Sequence, residues 1–175
     1  MPKSSKDQID ADEIKVIKIL RQNSGVSIDK IANKCGFSRQ KVWRIKKRIE
    51  DSKKIWGYTI VTDDEKLNKK RYILLLKQSS EPIGDKVSKI IDLTVSKKVE
   101  EMGIELLSGG FIHGSYDWIV IFTAKNIRDA KKFSELLIST YPNFIHKTEL
   151  MEYIFILKQS GIANPEIDKL KEIFV

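Results

Sequence analysis

Residues 27–49 read SIDKIANKCGFSRQKVWRIKKRI, and the fold turns on this stretch. Ser27 is a good N-cap for a short helix whose inner face is Ile28, Ile31 and Ala32. Gly36 suits the left-handed end of that helix, and Phe37 gives an apolar turn residue. Ser38 then caps a longer helix, about 39–52, in which Val42, Ile45 and Ile49 recur at spacings of three and four. Its other faces hold Arg39, Lys41, Arg44, Lys46, Lys47 and Arg48. A short helix, a tight turn and a basic helix make the helix-turn-helix plan.

Working outward, residues 10–23 form the preceding helix, with Ile14, Ile17 and Leu20 as its stripe and Val16 beside them. Asp10, Asp12 and Glu13 fall in its expected first turn, where the helix dipole favours negative charge. After the basic helix, residues 55–61 read as a short strand with Trp56, Tyr58 and Ile60 on one side. Residues 62–70 are polar and charged, with Leu67 as the anchor, and read as an interdomain connection.

A recognition helix keeps one face apolar to stay docked and offers the opposite face to phosphates and base edges. Arg39, Gln40 and Lys41 occupy the first turn, which in this motif enters the major groove. Gln40 suits adenine, Arg39 or Arg44 suits guanine, and Lys47 suits phosphate. Ser27 and Ser38 place backbone N–H groups of helix N-termini toward phosphate. Trp43, one step off the apolar stripe, reads as packing at the domain edge ahead of a DNA contact. Charge supports a polyanionic partner. Residues 1–60 hold 15 Lys/Arg against 7 Asp/Glu, whereas residues 61–175 hold 17 of each, so the whole net charge of +8 sits in the first third.

The second half changes character. Strands are expected at 71–78 (Tyr72-Ile73-Leu74-Leu75-Leu76), 104–113, 116–124 and 144–157. Gly109-Gly110 implies a bulge or a close contact in the second of these. Pro82 opens a helix that keeps its rhythm through Ile83, Val87, Ile90, Ile91, Val95, Val99 and Met102 to Gly103, with a break near Leu93-Thr94. Asn126 caps another, carrying Ile127, Ala130, Phe133, Leu136 and Leu137 and ending before Pro142. A short helix follows Pro165.

The fold class is therefore α+β: an N-terminal helix-turn-helix domain (1–61), a connection (62–70), a ferredoxin-like βαββαβ domain (71–160) and a helical extension (161–175). The strands are apolar on both sides, so the sheet face away from its helices needs a cover. A second copy packed face to face supplies one, which makes a homodimer the expected assembly.

Other chemistries find little support. One cysteine, Cys35, makes no internal disulfide and fits a reducing compartment. His113 and His146 have no metal-ligand spacing, so no metal or cofactor is expected. Ser108-Gly109-Gly110 is no phosphate loop, and no apolar run of membrane-spanning length is present. The turn Gly114-Ser115-Tyr116-Asp117 joins two central strands and offers N–H groups, a hydroxyl and a carboxylate together. It reads as an ordinary hairpin with Gly114 at positive φ, and secondarily as a seat for a small zwitterion such as an amino acid.

Three stretches together resemble the Lrp/AsnC (leucine-responsive regulatory protein, feast/famine) family of transcriptional regulators. They are Ile28-Asp29-Lys30-Ile31-Ala32 leading to Gly36-Phe37-Ser38-Arg39 and Val42; Lys47-Arg48-Ile49-Glu50 followed by Ile55-Trp56-Gly57-Tyr58-Thr59; and Gly114-Ser115-Tyr116-Asp117. The resemblance spans about residues 9–158. It implies a winged or extended helix-turn-helix, dimers through the sheets assembled further into tetramers or octamers, and semi-palindromic promoter sites on duplex DNA. It also implies amino acids or related metabolites as effectors near Gly114, Ser115, Tyr116 and Asp117, and a cytoplasmic, nucleoid-associated regulator without enzymatic activity. The chain departs from the family at Ile45, where an arginine is usual, in the long segment 82–103, and past Pro165. Two other functions use the same plan. One is an architectural DNA-binding protein of weak sequence preference. The other is a haem-precursor decarboxylase, against which the charge-neutral second half and its dispersed histidines argue.

Overall fold

The computed structural model describes residues 5–80, 84 and 97–174. The chain forms two compact units. One is drawn from Met1–Val61 together with Ile156–Val175, and the other is Thr62–Phe155.

In the first unit, α1 (Lys6–Gln22), α2 (Ile28–Cys35) and α3 (Arg39–Asp51) pack around Val16, Leu20, Ile31, Ala32, Val42, Ile45 and Ile49. The spacing of these residues puts them on the facing sides of three helices. Helix α1 starts a turn earlier than expected, because the Ser5 hydroxyl accepts from the Gln8 N–H and caps it there. Asp12 and Glu13 therefore leave the first turn, and both are buried, whereas Ile14 is exposed. The stripe of α1 is thus set by Val16 and Leu20. Cys35 packs at the core's edge, where burial pushes its thiol pKa up.

Residues 55–61 form no strand. Trp56 is 95% exposed and Ile60 79%. The segment has the alternation of a strand, but none of the described residues pairs with it. The tail from 156 onward joins the helical unit, not the sheet as expected for 156–160. It makes a small hairpin, β5 (Lys158–Gln159) with β6 (Ile162–Ala163), closed by the Asn164 side chain donating to the Ile156 carbonyl at 2.9 Å. Gly161 comes close to the Arg21 carbonyl on α1. A last helical turn, α6 (Leu170–Ile173), follows.

The second unit is a four-stranded antiparallel sheet of order β2-β3-β1-β4, with β1 at Lys70–Gln78, β2 at Glu105–Phe111, β3 at Trp118–Ala124 and β4 at Ile145–Glu152. This is the order of the ferredoxin-like split motif. Helix α5 (Ile127–Thr140), capped by Asn126, covers one face; α4 (Lys97–Glu101) precedes β2. The helical reading of 82–96 lies outside the described residues. Tyr72, Leu74 and Leu76 alternate inward from β1, and Trp118, Val120 and Phe122 from β3. They meet Phe133, Leu137, Tyr141 and Phe144, with Phe122 edge-on to Phe133 at 4.8 Å. The opposite face carries half-buried Ile73, Leu75, Ile119 and Ile121, with Met151 opposite Ile73.

Three expectations change here. The bulge in β2 falls between Leu106 and Ser108, ahead of the glycine pair. The last strand stops at Glu152, with the Tyr153 N–H still donating to the Arg71 carbonyl of β1 at 2.9 Å. The connection is held by a buried ion pair, Asp64 with Arg71 at 2.7 Å, whereas Leu67 is exposed.

Candidate nucleic-acid interface

Two local signals aim α3. Gly36 ends α2 in the left-handed region at φ 68°, and the Ser38 hydroxyl accepts from the Lys41 N–H at 3.2 Å. The Ser27 hydroxyl likewise accepts from the Lys30 N–H. Both serine side chains are spent on capping, so any contact at these positions falls to the remaining N–H groups of each first turn.

The basic residues of α3 then divide by direction. Lys41 turns inward, with its Nζ 2.6 Å from buried Asp12 and 4.0 Å from the Phe37 ring centre. Arg48 pairs with buried Glu13, which Lys54 also reaches at 2.5 Å. The hydrogen bond from Lys41 is the main reason that Asp12 titrates below its ordinary value, against the opposing effect of burial. For Glu13 burial is the largest influence and acts upward, but the combined hydrogen bonds and charges of Lys54 and Arg48 bring the net shift below the ordinary value. These cations tie α3 to α1. Lys41, expected at the interface, is half-buried and has its ammonium on Asp12.

On the outer side stand Gln40, Trp43, Arg44 and Lys47, at spacings that gather on one helical face. This face is opposite Val42, Ile45 and Ile49, which are buried to 3% exposure or less. Gln40, Trp43 and Arg44 join Arg39 and Ile28 of α2 in lining an open groove of about 490 Å³. Arg39 pairs with Asp29 at 2.8 Å, both of them exposed. Among the described residues no carboxylate pairs with Arg44. Lys47 sets its Nζ 5.5 Å from the Trp43 ring centre. Expected residues Arg39, Gln40 and Arg44 are thus brought together, with Lys47 a turn further along. Trp43 belongs with them and is 54% exposed, not packed at the domain edge. Its spacing of three from Gln40 and four from Lys47 was the signal in the sequence.

The turn 114–117 is built differently from an empty seat. The Asp117 carboxylate accepts the Gln78 backbone N–H at 2.9 Å and the Lys77 ammonium at 3.1 Å. The Gln78 N–H, then Lys77, holds its pKa below the usual carboxylate range. The Tyr116 hydroxyl donates to Glu149, and Lys147 lies over its ring at 5.6 Å. Gly114, at φ 154°, and Ser115 are exposed. Asp117 and Tyr116 therefore bind the turn to β1 and β4. No group of three metal-ligating side chains is found among the described residues, nor a helix long and apolar enough to cross a membrane.

Comparison with known proteins agrees with this geometry. A family described as winged helix-turn-helix DNA-binding matches residues 11–54. The uncharacterised HTH-type transcriptional regulator PH0061 of Pyrococcus horikoshii is 33% identical over 154 residues, covering 85% of this chain and 93% of its own length. The crystal structure of PH0061 superposes with a TM-score of 0.68, covering 91% of this chain and 98% of that one at 21% identity. An AsnC family transcriptional regulator from Agrobacterium tumefaciens gives 0.65 at 18% identity, over 85% and 92% of the two chains. The transcriptional regulator NMB0573 of Neisseria meningitidis, solved as its L-Met complex, gives 0.66 at 14% identity, over 93% and 97%. At these identities the solved structures establish a shared two-domain fold.

Proposed function

The chain belongs to the HTH-type transcriptional regulators, and from that premise we propose that it is a regulator of the Lrp/AsnC type that binds particular duplex sequences by laying α3 in the major groove. The observation that supports this most is the division of the basic residues. Lys41, Arg48 and Lys54 are paired with buried carboxylates, while Arg44 and Lys47 stand beside Gln40 on the exposed outer face. In this reading Arg44 and Gln40 read base edges, Arg39 exchanges Asp29 for the duplex, and Lys47 meets phosphate. First-turn N–H groups after Ser27 and Ser38 complete the phosphate contacts. Two copies, joined through Ile73, Leu75, Ile119, Ile121 and Met151, present two such helices to a semi-palindromic site. The protein works by binding and not by catalysis, in the cytoplasm on the nucleoid.

Selection from a random duplex pool at about 150 mM salt, where the Debye length is about 8 Å, tests the reading. The expected outcome is a short palindrome with half-sites about one helical turn apart, which Arg44→Ala binds more weakly by about 1–3 kcal/mol. Retention of DNA without enrichment would favour the architectural alternative, separated by the ratio of specific to nonspecific affinity.

An amino-acid effector is favoured by one observation, the L-Met complex of the Neisseria regulator. The exposed Gly114 and Ser115 would meet the ligand, with Tyr116 and Asp117 holding the turn in shape. A panel of amino acids screened by thermal shift should raise Tm for one class only.

A further inference from the structure

The exposed face of α3 holds one large apolar side chain that contacts through charge leave unused. Trp43 is 54% exposed although it stands in mid-helix, a turn after Gln40 and a turn before Lys47. Single exposed apolar residues are common and mean little by themselves. Position decides here, because the indole shares its groove with Arg39, Gln40 and Arg44. Lys47 adds a cation over the ring at 5.5 Å. A groove with this cationic rim takes a polyanion, and the apolar feature that duplex DNA offers in its major groove is the C5-methyl of thymine. Charge complementarity thus identifies the partner, and the apolar wall identifies the part of it that Trp43 meets.

Resting on the reading that α3 enters the major groove, we propose that Trp43 is a specificity-determining residue that packs its indole against thymine methyl groups. Gln40 lies three residues earlier on the same face, and its amide matches the N6 and N7 edge of adenine. Two neighbouring side chains thereby read the two partners of A·T pairs, one by hydrogen bonds and one by apolar contact. Arg44, adjoining Trp43, takes guanine at the next position. The half-site therefore carries a short A·T step beside a G·C pair. Trp43 also has an indole N–H, which offers a phosphate contact as a competing role, and the test separates the two.

The experiment uses the full-length protein and the best duplex from selection, with each half-site thymine replaced in turn by deoxyuridine. This substitution deletes the methyl group and leaves Watson–Crick pairing intact. The parent protein is expected to lose about three- to five-fold in affinity at one or two positions, the scale of one buried methyl. Trp43→Ala should bind more weakly and treat thymine and uracil alike, whereas Trp43→Phe should keep the discrimination. Trp43 is exposed, so both variants should give the parent's circular dichroism spectrum. Equal binding of thymine and uracil duplexes by the parent would overturn the proposal and leave the regulator reading standing. Retained discrimination in Trp43→Ala, or its loss in Trp43→Phe, would overturn it too, by assigning the methyl to another residue or Trp43 to a phosphate. Failure to select any sequence would instead overturn the sequence-specific reading on which it rests.

Discussion

Asp12 and Glu13 are the two acidic side chains that the helical unit buries, and each is matched by cations from α3 or just beyond it. Removing the charge of Glu13 leaves Arg48 and Lys54 with a weaker acceptor. Glu13→Gln should therefore lower the stability of the unit by about 1.5–3 kcal/mol, the range for hydrogen bonds to charged groups. Chemical denaturation followed by circular dichroism measures it. The pH dependence has a definite sign. Both carboxyls titrate below their ordinary values of 4.5 and 3.8 when folded. Their contribution is present above those values and is lost as pH falls through the lower, folded pKa. Stability should be level near neutrality and decline in acid below about pH 4.5, less steeply in Glu13→Gln. The sequence showed these residues as acidic and early in a helix, but not what they hold. That depends on which face of α1 meets α3, and the cap at Ser5 shifts the turn they occupy. Trp43 turns on the same geometry, since one step along a helix turns a side chain by about 100° and moves it from core edge to open face.

At the scale of the element, β3 gives the sharpest contrast. Ile121 and Phe122 are adjacent and point to opposite faces, Phe122 into the helix-covered core and Ile121 away from it. Ile121→Arg should leave the fold intact and abolish self-association, so that light scattering reports a monomer. Phe122→Arg should instead unfold the sheet unit, because it places an unpaired charge among aromatic rings at a cost of about 4 kcal/mol or more. In the sequence the two positions look alike, because an apolar run conceals which side each residue takes. Helices with capping residues and spaced apolar stripes were legible within a turn or so. Residues 55–61 were not. Their alternation is that of a strand, but a strand requires a partner, and none of the described residues supplies one. The end of β4 follows the same logic, since Ile154-Phe155 is as apolar as a strand yet lies beyond it.

At the scale of the molecule, uneven charge is the property that the sequence states most directly. All of the net +8 lies in residues 1–60, and several of those cations are neutralised internally by Asp12, Glu13 and Asp29. Counting the cations alone, without the acids that pair with them, therefore overstates the footprint proposed on DNA. The logarithm of affinity should fall linearly with the logarithm of salt concentration, and Lys47→Ala should reduce the slope by about 1 while weakening all sequences alike. Titrations at several salt concentrations measure both. The two-unit plan was legible from the change in pattern near residue 62, but the allegiance of the tail was not, because residues 156–160 are as apolar as the strand they follow yet group with the helical unit. The separation of α3 into an inner side that docks and an outer side that is open has a consequence for descent. Changes at Gln40, Trp43, Arg44 or Lys47 disturb neither the apolar stripe nor the buried carboxylates. On the proposed reading of α3, a duplicated copy of this gene can acquire a new set of promoters by drift at those few positions, while the scaffold that presents them is inherited unchanged.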